Sequence, residues 1–240
     1  MSSPKLIAGA SGYAFKEWQG SFYPDKIKSD DMLAWYAERL PTVEINNTFY
    51  RMPKPAVLEN WAQATPADFR FAIKASRRIT HDARIKADAA ESVAYLYRML
   101  ASLGDKLGAV LFQLPPNLKK DLPRLDAFLK MLPEGHCAAF EFRNDSWFDE
   151  EVYVLLRQAK AALVLSERED NAPPPLVETA PWGYVRLRLE NYSDDDLKRW
   201  AERIAATAWT ETFVYFMHEP TAPGYARTLL DAVSALQPAA

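Results

Sequence analysis

The chain of 240 residues contains a single cysteine, Cys137, so no disulfide bond can form within it. Oxidising compartments favour paired cysteines, and a lone cysteine is therefore typical of a cytoplasmic protein. No apolar run approaches the roughly 18 residues of a membrane-spanning helix, so we expect no membrane partner. The first residues show no basic segment followed by a long apolar core, and we expect no secretory signal.

The chain also lacks an excess of positive charge. Its 29 Lys and Arg residues stand against 32 Asp and Glu residues, a formal net charge of −3. Nucleic-acid-binding domains usually carry a basic excess, so this balance argues against a dedicated nucleic-acid binder, although it permits a local basic pocket. Apolar residues make up 49% and charged residues 25% of the chain, as in an ordinary globular domain. Intrinsic disorder is excluded because it requires low hydrophobicity and high net charge.

Short β-rich runs alternate with amphipathic stretches along the chain, and no linker divides it. The eight predicted strands are Lys5–Gly9, Thr42–Asn47, Phe69–Ala75, Gly108–Leu114, Cys137–Phe142, Ala162–Ser166, Gly183–Arg188 and Thr212–His218. One β/α unit per about 30 residues matches the (β/α)8 TIM barrel, which has about 250 residues. We therefore predict an α/β fold with one barrel domain over residues 1–240. An open doubly wound sheet is the alternative, but residues 9–12 hold only a fragment of its glycine-rich phosphate turn.

Most of the gaps between these strands show the helical period. Apolar residues recur at three and four positions between Asp88 and Leu103, and Ser193 precedes three aspartates as an N-cap would. A shorter helix is predicted around Leu125–Met131, between two prolines. The sixth gap, Asn171–Ala180, contains three consecutive prolines, so the sixth helix should be short or replaced by a proline-rich loop.

Ionisable and amide side chains cluster at the carboxyl ends of the predicted strands, where barrel enzymes place their sites. Side chains alternate between the two faces of a strand, so the polar positions should point into the barrel while their apolar neighbours pack on helices. The set is Glu44, Lys74, Gln113, Glu141, Arg143 and Arg186. Two carboxylates against three cations leave one positive charge, which predicts a small anionic ligand, phosphorylated or sugar-like. In the alternative interpretation, these charges form an ion-pair network that closes the barrel and binds nothing.

A series of short motifs runs through the chain in a characteristic order. These are residues 9–13 (GASGY), 18–24 (WQGSFYP), 43–51 (VEINNTFYR), Lys74 with Thr80 and His81, 111–116 (LFQLPP), 141–143 (EFR) with Trp147, and 184–187 (YVRL). In this order they resemble the YecE-like family (domain of unknown function seventy-two), a large bacterial family of uncharacterised proteins, over nearly the whole chain. The resemblance implies a TIM barrel similar to the xylose-isomerase-like and abasic-site endonuclease-like barrels. It implies no settled activity, and a nucleic-acid-related role rests on structural analogy alone.

The later part of the chain departs from the family pattern. Relatives usually continue the seventh strand with a His-Gly pair, where this chain has Arg188, Leu189 and Glu190. The eighth strand usually ends in an Asn pair after Phe, and here Met217, His218 and Glu219 follow Phe216. The acidic residue usual after the sixth strand corresponds to Glu167. These changes bear on any ligand specificity that relatives share.

The predicted catalytic residues are Glu44, Glu141 and His81. The two glutamates could divide acid and base roles if their environments separate their pKa values, and His81 could donate a proton or only hold its loop. The predicted ligand-binding residues are Asn46, Arg51, Lys74, Gln113, Arg143, Trp147, Arg186 and Tyr192. Trp147 and Tyr192 could cover a sugar or base face, with packing in the core as the alternative for each aromatic.

A metal-dependent phosphoesterase is a second candidate, and such a site needs clustered histidines and carboxylates. The chain has three histidines. His136 precedes the fifth strand and should lie at the opposite end of the barrel, while His81 and His218 lie on separate units. We predict no cofactor and no multi-zinc site; a single divalent ion held by carboxylates is the metal option that stays open.

A nucleic-acid-binding role is the third candidate. One basic stretch lies beside Thr80 and His81, and aromatic residues precede Arg51. The residues concerned are Phe49, Tyr50, Arg51, Lys74, Arg77, Arg78, Arg84 and Lys86. They could contact phosphates and stack on bases, but a solvated, charge-balanced face is the favoured interpretation at a net charge of −3.

Overall fold

The computed structural model describes residues 5–167, 175–218 and 220–236. Eight parallel strands form a closed barrel in sequence order, and β8 pairs with β1 from Lys5 opposite Glu211 to Ala10 opposite Phe216. The strands are β1 Lys5–Ser11, β2 Thr42–Ile45, β3 Arg70–Lys74, β4 Leu107–Gln113, β5 Ala138–Glu141, β6 Ala162–Ser166, β7 Trp182–Leu187 and β8 Glu211–Phe216. The predicted (β/α)8 barrel is confirmed.

Helices follow the strands on the outside of the barrel. They are α1 Met32–Ala37, α2 Pro55–Gln63, α3 Ala90–Leu100, α4 Leu122–Leu129, α5 Glu150–Gln158, α6 Asp194–Ala205 and α7 Ala222–Leu236. Between β6 and β7, residues 175–181 contain no helix, as the proline-rich sequence predicts; residues 168–174, with most of the proline run, lie outside the described part. In the described ranges, no helix has both the length and the apolar character needed to cross a membrane.

Side-chain caps begin α4, α5 and α6, from Asp121, Asp149 and Ser193. Ser193 begins α6 with a capping box, in which the Asp196 N–H donates to the Ser193 hydroxyl and the Ser193 N–H donates to the Asp196 carboxylate. Helix α4 begins three residues earlier than predicted. Pro123 lies inside its first turn instead of before it, because the first turn needs no N–H donor from proline.

Strand residues alternate between two apolar layers. Val43 and Ile45 of β2 belong to the layer between the sheet and the helices. The interior of the barrel holds a separate cluster, made of Ile7, Ala72, Ala109, Leu111, Ala139, Ala162, Val164, Trp182, Tyr184, Phe213 and Tyr215. On β7, Tyr184 faces inward and Val185 faces the helices, as the alternation predicts. The inward face is therefore apolar along the middle of the barrel, and the predicted site residues lie at its carboxyl end.

Close packing of α1 on the start of the barrel depends on a glycine. The Tyr36 hydroxyl donates to the Thr42 carbonyl oxygen at 2.8 Å and accepts from the Ala10 N–H at 2.8 Å. A Cβ atom on Gly9 would lie 1.9 Å from the Thr42 oxygen and 2.8 Å from the Tyr36 hydroxyl. Glycine is therefore the residue that this approach of β1, β2 and α1 permits.

Candidate functional site

Three buried charged residues meet at the carboxyl end of the barrel. Arg186 on β7 places one guanidinium nitrogen 2.8 Å from the Glu44 carboxylate and another against the Glu141 carboxylate. The side chains of Arg186, Glu44 and Glu141 are 1%, 0% and 3% exposed. Glu44 is the residue before the end of β2 and Glu141 ends β5, so one guanidinium joins three strands across the interior. All three were predicted from the sequence to face inward, and the structure brings them together.

Three further donors surround Glu44. The Ser11 hydroxyl donates to it at 2.8 Å, the Tyr184 hydroxyl at 2.7 Å and the Asn46 amide at 3.0 Å, in addition to Arg186. Burial acts to raise the pKa of the Glu44 carboxyl, but the charge of Arg186 and these hydrogen bonds outweigh it, so the pKa lies below its usual range. Glu44 is therefore ionised at neutral pH.

Glu141 has the same protonation state, for a similar reason. Gln113 donates to it at 2.9 Å, Arg143 at 3.3 Å and Arg188 at 3.2 Å. Burial acts to raise the pKa of this carboxyl, and the charges of Arg186, Arg188 and Arg143 overcome it and hold the pKa well below the usual range. Both carboxylates carry a negative charge together, whereas an acid–base pair needs one of them protonated.

Cations outnumber carboxylates in this cluster. Arg143 is 40% exposed and Arg188 23% exposed, so both line the open end above the buried Arg186. With Lys74, four cations accompany Glu44 and Glu141, and the buried carboxylate of Glu167 accepts from the Arg188 backbone N–H at 3.3 Å. The formal surplus is two positive charges without Glu167 and one with it. Arg188 was not among the site residues predicted from the sequence. The signal was available in the alternation of Tyr184, Arg186 and Arg188 along one face of the seventh strand.

Lys74, the last residue of β3, is half-buried at the same end. Its ammonium lies 4.7 Å from the centroid of the Phe49 ring, a cation–π distance. Among the residues that the structure describes, no carboxylate lies within ion-pair distance of the Lys74 Nζ atom. Burial and the positive charge of Arg186 lower the pKa of Lys74 to about 8, while Glu44 and Glu141 act in the opposite direction.

His81 contacts the same Phe49 ring as Lys74. Its ring centroid is 4.9 Å from that of Phe49, nearly perpendicular to it, and its Nδ1 atom is 2.9 Å from the Thr80 hydroxyl. Burial and the positive charges of Lys74 and Arg77 lower the pKa of His81. The imidazole is therefore mainly neutral at pH 7, with one donor nitrogen and one acceptor nitrogen.

The other predicted ligand-binding residues have different surroundings. Asn46 and Gln113 belong to the cluster through Glu44 and Glu141. Arg51 is exposed, and its guanidinium forms no hydrogen bond with the described residues. Tyr192 is buried beside the cluster, where its hydroxyl donates to Glu167 and accepts from the Leu189 N–H at 3.0 Å.

Trp147 lies apart from the other predicted site residues. Its indole ring stacks on Phe142 with centroids 4.7 Å apart, and its N–H donates to the Leu118 carbonyl oxygen at 2.7 Å. The side chain is completely buried, so its faces are not available to a ligand. For this aromatic residue the structure supports the alternative, packing in the core.

Metal ligation finds little support in the geometry. No group of three or more His, Cys, Asp or Glu residues in the described ranges is arranged to hold a metal ion, and Glu44 and Glu141 direct their oxygens at Arg186. His136 lines a separate cavity of about 770 Å³ at the amino-terminal end of the barrel, together with Cys137. His218 contacts Thr221 at 3.3 Å, while the adjoining Glu219 lies outside the described residues.

Comparisons with known proteins agree with this fold. The sequence model of a family described as "Protein of unknown function DUF72" matches residues 7–239. The UPF0759 protein YunF of Bacillus subtilis is 32% identical over 140 residues, which cover 55% of this chain and 50% of YunF. The UPF0759 protein YecE of Escherichia coli is 34% identical over 114 residues, or 47% of this chain and 42% of YecE. The matches thus span half or less of these relatives' own lengths.

Solved structures extend the similarity to almost the whole chain. A DUF72 family protein from Thermotoga maritima, TM1631, superposes with a TM-score of 0.83 and is 25% identical, with 96% of this chain and 99% of that chain covered. A DUF72 family protein from Enterococcus faecalis, EF0366, superposes with a TM-score of 0.80 at 18% identity, over 95% of each chain. The second similarity concerns the fold alone.

Proposed function

Since this chain belongs to the DUF72 family of unknown function, we propose that the carboxyl end of its barrel binds a small anionic molecule carrying a phosphate or carboxylate group. The observation that carries this proposal is the surplus of positive charge around Glu44 and Glu141. Cations gathered without matching carboxylates repel one another, and an anionic ligand relieves that repulsion. A phosphate or carboxylate also fits the planar donor fork of arginine.

Arg143 and Arg188 retain donors for such a ligand. Within the described part of the chain, Arg143 uses only its Nε atom, which donates to Glu141. Arg188 uses Nε toward the Ser166 hydroxyl at 2.9 Å and one terminal nitrogen toward Glu141. Both side chains are anchored at one edge and keep terminal N–H groups for a second partner. Anchoring reduces the side-chain entropy that ligand binding would otherwise cost.

The buried carboxylates have a positioning role in this proposal. Glu44 and Glu141 stay ionised and hold Arg186, Arg143 and Arg188 in place. His81 is the better candidate for proton transfer, because its imidazole lies near the cations, which lower its pKa, and its neutral form has one donor and one acceptor nitrogen. Acid–base roles for Glu44 and Glu141, as predicted from the sequence, would need a bound ligand that displaces Arg186 from one of them.

A titration of phosphate, sulfate and small carboxylates into the protein at low ionic strength, followed by calorimetry or NMR, tests the proposal. We expect Arg143→Gln and Arg188→Gln each to weaken binding about tenfold, since a charge-assisted hydrogen bond contributes about 1.5–3 kcal/mol. The matched control is Arg157→Gln, which removes an exposed arginine that pairs with Glu150 on α5. Equal affinity in all four proteins, or no binding of any anion, would contradict the proposal.

Single-stranded nucleic acid is a second candidate ligand, favoured by one observation. Tyr50 is 76% exposed and precedes the exposed Arg51, a combination that stacks on a base and contacts its phosphate. The adjoining basic stretch offers less free positive charge to a nucleic acid than its composition indicates, because Arg77 pairs with Asp82 at 3.3 Å. A fluorescent oligonucleotide at low salt tests this candidate. Binding that weakens in Tyr50→Ala supports it, and no binding removes it.

A further inference from the structure

We propose that Lys74 is a nucleophilic amine, which condenses with the carbonyl group of a small anionic aldehyde or ketone to form a Schiff base. This inference rests on the proposed function, because the anion site would hold the phosphate or carboxylate group of the same molecule. It adds a covalent reaction and narrows the ligand to carbonyl compounds.

Lys74 occupies a position at which barrel enzymes often carry a reactive group. It ends β3, at the face where barrel enzymes carry their catalytic residues. The Thr48 hydroxyl donates to the Lys74 carbonyl oxygen at 2.7 Å, which fixes the end of the strand to the segment that carries Phe49. The Phe49 ring in turn lies against the lysine ammonium at 4.7 Å. Backbone and side chain are therefore both held at the open end of the barrel.

The surroundings of the amine increase the fraction of its neutral, nucleophilic form. No described carboxylate lies within ion-pair distance of Lys74 to stabilise its charge. The charges of Arg186 on β7 and of Arg143 after β5 act against its protonation, with Glu44 and Glu141 opposing them. With a pKa of about 8, about a tenth of the amine is neutral at pH 7, against less than about a thousandth for an unperturbed lysine. Burial among cations is a recognised means of activating a lysine nucleophile.

The reaction needs no oxidant, reductant or metal. The Nζ lone pair forms a bond to the carbonyl carbon, the nitrogen loses a proton, and the carbonyl oxygen gains one to become the hydroxyl of a carbinolamine. The second N–H proton is then transferred from the nitrogen to that hydroxyl, which leaves as water while the nitrogen lone pair forms the C=N bond. His81 contacts the same Phe49 ring as Lys74, and its neutral imidazole can relay these protons.

The roles of the arginines follow from the same geometry. Arg143 and Arg188 present their remaining N–H groups on the side of the cluster that includes Glu141. An anionic group held there orients the carbonyl of a short molecule toward the lysine. A neutral aldehyde of the same size lacks this orientation and should react more slowly.

Reductive trapping tests the proposal on the full chain. Glyoxylate as the anionic probe and acetaldehyde as the neutral probe are each incubated with the protein and cyanoborohydride near pH 7, and the modified lysines are mapped by mass spectrometry. We expect one adduct at Lys74, formed at least about tenfold faster with glyoxylate, and lost in Lys74→Arg. The control Lys130→Arg changes an exposed lysine of the chain and should leave the adduct unchanged. Arg143→Gln should slow the glyoxylate reaction and spare the acetaldehyde reaction.

A parallel titration with inorganic phosphate separates the two proposals, and thermal melting confirms that each variant is folded. Phosphate binding without a Lys74 adduct overturns the Schiff-base proposal and leaves the anion site intact. Adducts spread over many lysines, or no preference for glyoxylate, also overturn it. If neither phosphate binding nor an adduct is found, both proposals fail.

Discussion

The guanidinium of Arg186 and the carboxylate of Glu44 lie 2.8 Å apart, and almost no surface of either side chain is exposed. Removing two such ions from water is costly, and only good geometry with further hydrogen bonds offsets the cost. Here Ser11, Tyr184 and Asn46 supply those bonds to Glu44. The pair joins β7 to β2 across the barrel. It forms a closed floor beneath Arg143 and Arg188, the residues of the proposed anion site.

Replacing one member of this floor should destabilise the protein strongly. Arg186→Met leaves Glu44 and Glu141 buried without their shared cation, and we expect a loss of about 3–5 kcal/mol in the free energy of unfolding. Urea denaturation measures it. The control is Lys130→Met, which removes an exposed ion pair with Asp126 on α4 and should cost no more than about 1 kcal/mol. Similar costs for the two variants would show that the buried network does not contribute as proposed.

The stability of the protein should fall with pH in the acid range, in part through Glu141. Its folded-state pKa lies below that of the unfolded chain, so the unfolded state binds more protons as the solution is acidified. The stabilisation from Glu141 is complete above the pKa of a glutamate in the unfolded chain, about 4.3. It is lost as the pH falls toward the pKa of Glu141 in the folded state. Urea midpoints between pH 7 and pH 3 should therefore drop, and Glu141→Gln should make that drop shallower. An unchanged slope in Glu141→Gln would contradict the assignment.

Amine-specific acylation should single out Lys74 at mildly alkaline pH. Its neutral fraction rises with a midpoint near pH 8, because burial and Arg186 lower its pKa, whereas an unperturbed lysine reaches its midpoint near pH 10.4. Limited labelling across pH 6–10, quantified by peptide mass spectrometry, measures both profiles. Saturating phosphate should protect Lys74 if the anion binds beside it. If the pH profile of Lys74 coincides with those of exposed lysines, the prediction is wrong.

A methyl group at Gly9 should disrupt the barrel near α1. In Gly9→Ala, the new Cβ atom meets the Thr42 carbonyl oxygen and the Tyr36 hydroxyl at distances that real contacts do not reach, so β1, β2 or Tyr36 must shift. We expect a loss of several kcal/mol, on the order of the larger single-mutation effects. Gly224→Ala is the matched control, because its Cβ atom meets nothing within 4 Å inside α7; it should be neutral or stabilise by about 0.5–1 kcal/mol. Circular-dichroism melting of both variants gives the comparison.

Substitution of Trp147 should affect stability and leave ligand affinity unchanged. Trp147→Phe removes the indole N–H that donates to the Leu118 carbonyl oxygen and leaves a small void beside Phe142. We expect a loss of about 1–3 kcal/mol in the free energy of unfolding. The phosphate affinity, measured by the same calorimetric titration, should match that of the unmodified protein. A marked loss of affinity in a folded variant would return Trp147 to the ligand-binding set.

Much of the architecture can be predicted from the sequence because it depends on short-range patterns. The alternation of apolar and polar residues along each strand predicted that Glu44, Glu141 and Arg186 face the interior of the barrel. The eightfold repeat of β and α elements predicted the barrel, and Ser193 with the aspartates after it predicted the start of α6. Boundaries were less accurate at α4, where Pro123 serves equally well before a helix or within its first turn.

Short-range patterns alone determined which strand face is polar and at which end of the barrel its charges lie. The partners of those charges were decided by tertiary structure, since Arg186 and Glu44 are 142 positions apart and meet only through closure of the barrel and the register of its strands. Tertiary structure also brought Arg188 into hydrogen-bond contact with Glu141 and buried Trp147 against Phe142. Local periodicity follows from the geometry of one strand or helix, whereas a contact between distant strands depends on every pairing around the ring.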